Sequence, residues 1–193
     1  MPHKILILQG HPDAAEGHLC HMLACAYREG ALQAGHEVRT VGVSDLDFPL
    51  LRSEREWTDA SVPASLHSAQ QGILWADHLL IVFPLWLGGL PAFFRAFLEQ
   101  VLRPGFAVGG GPARNTPLLR GRSARVVVTM GMPGLVYRLY FGAHSLRALK
   151  RNILMFVGIS PVRSTVVGSA KNMTAARRRR LRATMQALGR RAG

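Results

Sequence analysis

The chain has 193 residues, of which 48% are hydrophobic, 7% aromatic and 18% charged. This length and composition are typical of one compact domain with its own core, and they exclude disordered, collagen-like and disulfide-stapled proteins. The net charge is +13; the first 100 residues carry 6 basic and 11 acidic side chains, whereas the rest carry 18 basic and none acidic. That polarity predicts a one-sided field that attracts anions, such as a phosphorylated cofactor, acidic lipid, nucleic acid or an acidic protein surface.

The predicted elements begin with the apolar run Lys4–Leu8, which is typical of a buried parallel strand. A helix is predicted from His18 to Ala34, ending at Gly35, a residue that commonly terminates helices. Residues Glu37–Val43 follow as a second strand. Residues 44–64 show no sustained period, and we expect them to form an irregular excursion outside the core.

The rest of the chain continues to alternate strands with helices. Five strands arranged in this way predict an α/β fold, in which a parallel sheet is covered by helices on both faces. We expect residues 1–193 to form a single domain, with a second irregular segment at 104–117. The remaining predicted helices are Leu66–Trp75, Pro91–Leu102, Leu146–Val157 and Thr174–Arg190, and the remaining strands are His78–Phe83, Ser123–Met130 and Pro161–Val167.

Two properties of the chain bear on its compartment. Its cysteines, Cys20 and Cys25, lie five residues apart on one predicted helix, so we expect reduced thiols in a cytoplasm. The apolar stretch 79–94 is interrupted by prolines and glycines and is shorter than the roughly 20 residues of a spanning helix. We therefore expect a soluble, cytoplasmic protein without a transmembrane segment.

One helix carries a combination of side chains that could bind a metal. His18, His21 and Cys25 have the spacing i, i+3 and i+7 and could face a common ion. Neither a Cys-x-x-Cys pair nor a His-Glu-x-x-His motif supports this, and packing against the sheet accounts for Cys25. We predict no metal site.

Ligands of doubly wound sheets bind beyond the carboxyl ends of the strands, where the strand order reverses. Three loops leave such ends, at residues 9–17, 84–90 and 130–140. The first lacks the Gly-x-Gly-x-x-Gly pattern of dinucleotide-binding folds, but its run into a helix, with His11 and His18, could hold a phosphate. The second lacks the aspartate of a receiver domain, and its apolar, aromatic rim suits a flat conjugated ring.

These residues resemble those of a known family. Lys4–Leu8 with His11, then Ala76–Trp86 with its Phe-Pro-Leu-Trp loop, and then Gly89 and Pro91 before a helix through Glu99, are similar to the NAD(P)H:quinone oxidoreductases. These are flavodoxin-like flavoenzymes, and the resemblance covers most of the chain. It implies a three-layer sandwich with a five-stranded parallel sheet in the order 2-1-3-4-5.

The resemblance also implies a flavin site built from three loops. The loop 9–20 would hold the flavin phosphate, the Phe-Pro-Leu-Trp loop would line the isoalloxazine, and a turn after the fourth strand would bring backbone amides to the N1 and O2 edge. Glu16 and His18 depart from the serine and the small polar residue usual in the family. The implied cofactor-binding residues are His11, Gly17, His18, Cys20, Pro84, Leu85, Trp86, Leu87, Thr129, Met130 and Gly131.

The implied activity is a two-electron ping-pong reaction with bound FMN or FAD, in which NAD(P)H and a quinone use one small site in turn. Tyr137 lies eight residues after Thr129, as the active-site tyrosine of the family does. The paired histidine would align with Ala143, one residue before His144. Tyr137 and His144 are the implied catalytic residues, and a homodimer with the active site near its interface is the implied assembly.

Two alternatives remain open at this point. The first is a flavodoxin-like electron carrier or a regulatory flavoprotein that binds a transporter or another partner; flavodoxin carriers tend to be acidic, so the net charge argues against a carrier. The second is a basic module for nucleic acid or an anionic membrane. The run Arg177–Arg180 is better explained as the solvated face of a terminal helix, because no aromatic residues stand nearby to stack on bases.

Overall fold

The computed structural model describes residues 1–15, 17–58, 61–109 and 116–193. Its centre is one parallel sheet of five strands in the order β2-β1-β3-β4-β5, which confirms the predicted topology. Glu16 and parts of the irregular segments 44–64 and 104–117 lie outside the described residues. The strands are β1 Lys4–Gln9, β2 Glu37–Gly42, β3 His78–Pro84, β4 Ser123–Thr129 and β5 Val162–Val167.

Helices connect the strands and cover both faces of the sheet. Within the described ranges, none of them is both long and apolar enough to cross a membrane. A π-helical segment, Leu149–Met155, directly continues the sixth helix. The α-helices are α1 Leu19–Gln33, α2 Glu54–Thr58, α3 His67–Trp75, α4 Ala92–Val101, α5 Gly134–Leu139, α6 His144–Ala148 and α7 Ala175–Arg190.

The core lies in two layers, one on each side of the sheet. Successive side chains of a strand point to opposite faces, so Ile5 and Ile7 pack under α1 and α7, while Leu6 and Leu8 pack toward α3 and α4. Because helices cover both faces of the central strands, the sequences of these strands are continuously apolar and do not alternate with polar residues.

The helices α1 and α7 touch through their backbones. A Cβ atom on Gly30 would lie 2.0 Å from the carbonyl oxygen of Gln186, and one on Gly189 would lie 2.1 Å from that of Tyr27. Each helix follows the carboxyl end of a parallel strand. Their amino termini therefore meet at the edge of the sheet where ligands bind in this class of fold.

Three segments differ from the sequence predictions. The irregular stretch 44–64 contains the short helix α2, and the loop after β4 contains α5. The helix predicted from Leu146 begins two residues earlier, at His144, and becomes π-helical at Leu149. The helix α5 gives no amphipathic signal in the sequence because its outer face is itself apolar, with Leu135 and Leu139 exposed.

Candidate functional site

A cleft of about 780 Å³ opens at the carboxyl edge of the sheet, beside β1, β3 and β4. The strand order reverses between β1 and β3, so the cleft lies where doubly wound sheets bind their ligands. The structure brings together around it all eleven residues predicted to bind a cofactor: His11, Gly17, His18, Cys20, Pro84, Leu85, Trp86, Leu87, Thr129, Met130 and Gly131.

The first wall begins where β1 ends. The amide of Gly10 donates to the carbonyl of Val82 at 2.7 Å, which ties this end of β1 to β3. A Cβ atom at Gly10 would lie 2.6 Å from the ring of Phe94. Glycine is therefore required for the chain to pass over α4 and enter the loop that carries His11.

The second wall is a tight turn after β3. The Leu85 amide donates to the Thr129 carbonyl at 2.7 Å, and Trp86 and Gly89 exchange backbone hydrogen bonds of 3.0 and 2.8 Å. Both residues between them, Leu87 and Gly88, have positive φ angles, of 44° and 75°. This pattern is that of a type I′ turn, and it leaves Trp86 at the cleft with 48% of its surface exposed.

The floor of the cleft includes the start of α1. Its N-cap residue, His18, makes no side-chain capping bond. Within the described part of the chain, the amides of Leu19, Cys20 and His21 donate to no acceptor. Free amides at the positive end of a 15-residue helix form a site for an anionic group.

Cys20 anchors the same turn of α1 against β4. Its Sγ lies 3.1 Å from Oγ1 of Thr129, and both side chains are buried. Burial raises the pKa of the Cys20 thiol to about 11, the hydrogen bond from Thr129 opposing this shift. The thiol is therefore neutral near pH 7 and does not repel an anion at the helix start.

Three imidazoles cluster beside this helix start. The rings of His11 and His18 stack with centroids 3.9 Å apart, and the ring of His21 lies 5.6 Å from each. Nε2 of His18 donates to the Asp13 carboxylate at 2.8 Å. Burial, and then the charge of His18, lower the pKa of His11, whose Nδ1 lies 3.1 Å from the carbonyl oxygen of Asp13 and 3.2 Å from its amide nitrogen. The main chain of Asp13 thus fixes the orientation of the His11 ring in either tautomer.

A fourth segment, which was not predicted from the sequence, also borders the cleft. Ala170, Lys171 and Arg178, from the β5–α7 connection and the first turn of α7, also line it, as does Leu19. The Ala170 amide donates to the Met130 carbonyl at 2.9 Å, which holds this segment beside the β4 loop. The sequence did hold a signal for this segment. The predicted strand β5 is parallel to the others and ends at the same edge of the sheet, so the loop after it should border the ligand site as the other three loops do.

The two residues predicted to be catalytic do not line the cleft. Tyr137 is only 2% exposed; its hydroxyl bonds to Oγ of Ser145 at 2.8 Å and accepts from the Leu146 amide at 3.2 Å. His144 is exposed and stands over Gly142, where a Cβ would lie 2.8 Å from Nε2. In this arrangement Tyr137 joins α5 to α6.

A second cavity, of about 450 Å³, lies between α1 and the end of β2 and is lined by His21, Cys25, Arg28 and Asp45, among others. Cys25 is exposed there, so the prediction that it packs against the sheet is wrong. Its position on α1 faces the groove beside the edge strand. The described residues contain no group of three or more His, Cys, Asp or Glu side chains arranged to hold a metal ion.

The chain is similar to several known proteins. The model of a family described as having a flavodoxin-like fold matches residues 3–190. An uncharacterized NAD(P)H oxidoreductase of Haemophilus influenzae is 26% identical over 129 residues, which cover 65% of this chain and 63% of that protein. The glutathione-regulated potassium-efflux system ancillary protein KefG of Yersinia enterocolitica is 32% identical over 140 residues, covering 71% and 63%. The alignments thus span less than two thirds of these curated relatives.

Solved structures with the same architecture include two enzymes. An NAD(P)H:quinone oxidoreductase from Methanothermobacter marburgensis has a TM-score of 0.83 at 21% identity, with 98% of this chain and 96% of that chain covered. An FMN-dependent NADH-azoreductase from Bacillus anthracis, in complex with FMN, has a TM-score of 0.76 at 15% identity, with 98% of both chains covered. At these identities the likeness shows a shared fold.

Proposed function

The chain belongs to the family with the flavodoxin-like fold, and from this premise we propose that it is a flavin-dependent NAD(P)H oxidoreductase that reduces quinones or similar small electrophiles. The observation that carries the proposal is the cleft, where loops after β1, β3 and β4 place their eleven predicted residues around one volume. The similarity to the NAD(P)H oxidoreductase of Haemophilus influenzae and to the NAD(P)H:quinone oxidoreductase of Methanothermobacter marburgensis supports the same reaction class.

The cleft fits a flavin at both of its ends. The uncapped start of α1 offers free amides to a phosphate, and no acidic side chain is among the described residues that line the cleft. At the other end, Trp86 provides an aromatic wall, and a Cβ placed on Gly131 would meet no protein atom within 4 Å. Both residues line the cleft of about 780 Å³, which has the volume to admit a planar ring.

The residues of the chain then have distinct tasks. A bound flavin would accept a hydride from NAD(P)H and deliver it to the second substrate. The turn Pro84–Leu87 would exclude water from one side of the ring, and its backbone is held by the bond from Leu85 to Thr129. The backbone amide of Gly131 would stabilise negative charge on the pyrimidine edge during reduction, while the Met130 amide holds the turn in place by donating to the Val167 carbonyl at 2.9 Å. His11 and His18 would donate to the phosphate.

FMN is the flavin we propose first, because the structural neighbour from Bacillus anthracis holds FMN. The purified protein should be yellow, with the absorbance of oxidised flavin, and should bleach when NADPH is added without oxygen. Reconstitution with FMN and with FAD, followed at equal concentrations, identifies the preferred flavin. A colourless chain that takes up neither flavin would refute the proposal.

A substitution at Gly131 tests where the ring lies. Gly131→Val adds its bulk into open space, so we expect loss of bound flavin, while the flavin-free forms of the variant and the wild type should melt at the same temperature. Flavin content can be measured from the ratio of visible to ultraviolet absorbance. A variant that retains flavin with wild-type affinity would show that the ring does not lie against this turn.

A second candidate function is a regulatory flavoprotein that binds a partner, and the similarity to KefG favours it. Steady-state turnover with a set of quinones separates the two candidates. Bound flavin without NAD(P)H oxidation would favour the regulatory function, whereas turnover favours the enzyme.

We also propose a cytoplasmic homodimer. Both cysteines are free thiols, as in a reducing compartment. The helix α5 and the turn after it expose Leu139 and Tyr140, which are 76% and 82% accessible, and a second copy covering them would border the β4 loop of the cleft. Sedimentation equilibrium should give twice the chain mass, and Leu139→Asp should give the monomer mass; a monomeric wild type would refute the dimer.

A further inference from the structure

We propose that Lys171 and Arg178 form a phosphate-binding site that selects NADPH over NADH by binding the 2′-phosphate of the coenzyme. The inference rests on the proposed function and names the electron donor of the same cleft. Both side chains line that cleft from the β5–α7 side. The two are held in place by the hydrogen bond from the Ala170 amide to Met130 and by the start of α7 at Ala175.

Two other cations of α7 have partners within the protein, whereas Lys171 and Arg178 have none among the described residues. Arg177 donates to the carbonyl of Gly168 at 2.8 Å, and Arg182 donates to both carboxylate oxygens of Glu29 at 3.0 Å. Within the described residues, the side chains of Lys171 and Arg178 form neither an ion pair nor a hydrogen bond. They are therefore available to an anion that enters the cleft, without first breaking an internal contact.

The flavin phosphate does not account for this pair. It has its own donors in the proposed function, at the uncapped start of α1 with His11 and His18. In a ping-pong reaction the coenzyme enters the same cleft, and it brings phosphates of its own. Lys171 and Arg178 lie on the β5–α7 side of the cleft, so they provide a second binding site for a second anionic group.

The composition of the cleft indicates which group that is. In dinucleotide-binding folds, sites for NAD place a carboxylate on the ribose diol and sites for NADP place an arginine on the 2′-phosphate, and the same chemistry applies to the coenzyme in this cleft. No Asp or Glu is among the described residues that line the cleft, and two unpaired cations are. A diol finds no acidic partner here, and a phosphate finds two basic ones.

The kinetic test uses Lys171→Gln, Arg178→Gln and the double variant, with Arg179→Gln as the matched control. Arg179 is exposed on the same helix, carries the same charge and does not line the cleft. We expect kcat/KM for NADPH to fall about tenfold for each single variant, as for loss of one charge-assisted hydrogen bond, with NADH little changed. Arg179→Gln should leave both coenzymes unchanged.

A second readout does not depend on turnover. Adenosine 2′,5′-bisphosphate carries the 2′-phosphate and adenosine 5′-monophosphate does not, so calorimetric titration of the purified protein with each isolates that group. The wild type and Arg179→Gln should bind the bisphosphate more tightly, and the double variant should bind both alike. If the protein binds no flavin but still prefers the bisphosphate, the proposed function is refuted while the phosphate-binding site is supported.

Three results would overturn the assignment. Equal losses for NADPH and NADH would show that the pair contacts the pyrophosphate common to both coenzymes. Weaker binding of FAD with unchanged FMN and coenzyme kinetics would assign the cations to the flavin's second phosphate. Unchanged kinetics and titrations in the double variant would show that the pair binds no phosphate.

Discussion

Two tyrosines bury their hydroxyl groups, but only one of the two hydroxyls is hydrogen-bonded. Tyr27 is fully buried, and its hydroxyl has no hydrogen-bond partner within the described structure. Burial raises its pKa, as expected for a phenol in apolar surroundings. The Tyr137 hydroxyl is buried too, but it bonds to Ser145 and to the Leu146 amide. The first hydroxyl costs stability and the second contributes to it.

We therefore expect Tyr27→Phe to raise the free energy of unfolding by about 1 kcal/mol, because it removes an unsatisfied polar atom without leaving a cavity. Tyr137→Phe should lower it by about 1–2 kcal/mol, since it also leaves the Leu146 amide without its acceptor. Urea denaturation at neutral pH measures both. A Tyr27→Phe variant less stable than the wild type would show that the hydroxyl has a partner.

The buried His78 should make the free energy of unfolding depend on pH. Burial, and then the charge of Arg125, lower the pKa of His78 from its ordinary 6.5 to about 4. The unfolded chain therefore binds a proton below pH 6.5 that the folded chain does not take up until pH 4. Stability should be highest above pH 6.5 and fall between pH 6.5 and 4, by on the order of 3 kcal/mol from this residue.

His78→Asn isolates that contribution. Nδ1 of His78 lies 2.7 Å from Oγ of Ser123, and an asparagine oxygen can accept the same hydrogen bond without titrating. The variant should lose less stability than the wild type between pH 7 and 4, in urea denaturation at several pH values. His144→Asn is the matched control, because it makes the same substitution at an exposed position. Parallel curves for the wild type and His78→Asn would contradict the prediction.

At the scale of elements, the contact between α1 and α7 sets the position of the cleft. Gly189→Ala should be strongly destabilising, because its Cβ would lie 2.1 Å from a carbonyl oxygen of α1 and rigid backbone cannot yield. The gain of about 1 kcal/mol in helix propensity does not offset a clash that forces two helices apart. We expect a loss of about 3 kcal/mol or more.

Gly72→Ala in α3 is the matched control for this prediction. The Cβ there would approach only the flexible end of Leu6, at 3.0 Å, so thermal unfolding should place this variant well above Gly189→Ala. Equal melting temperatures for the two variants would show that α7 can shift on α1 at little cost. The contact with α1 would then not fix the position of α7 and of the cleft residue that it carries.

The same elements show what the sequence could and could not predict. Apolar runs such as 4–8 and 78–83 identified the strands, and their alternation with helices gave the fold class. The resemblance to a family supplied the strand order and the eleven cofactor residues, which the fold gathers at one cleft. Periodicity could not reveal α5, because its exposed face is apolar and mimics a core segment.

Other features depend on tertiary contacts that leave no local pattern. Arg178 stands in a run of four arginines, and nothing in that run marks it as the one that lines the cleft. The partners of the Tyr137 hydroxyl are set by how α5 meets α6. The exposure of Cys25 depends on the groove left beside β2, which is an edge strand. Each requires the position of a second element.

At the scale of the molecule, two electrostatic effects compete. The first 100 residues carry an excess of acids and the rest only bases, so the two parts attract each other, as in the pair of Arg182 with Glu29. The surplus of +13 means that many basic side chains have no acidic counterpart, and this self-repulsion destabilises the compact state. Exposed ion pairs contribute little individually, so we expect repulsion to dominate.

Added salt should therefore stabilise the protein. Raising sodium chloride from about 20 to about 300 mM shortens the screening length below the spacing of many surface charges, and we expect the melting temperature to rise by about 2–4 °C. Chloride is the suitable anion, because phosphate is the ligand proposed for the cleft and its binding would confound the result. Substituting Arg179 and Arg180 by glutamine lowers the surplus by two and should raise the melting temperature at low salt while weakening its salt dependence. A melting temperature that falls with salt would show that attraction between the acidic and basic parts outweighs the repulsion.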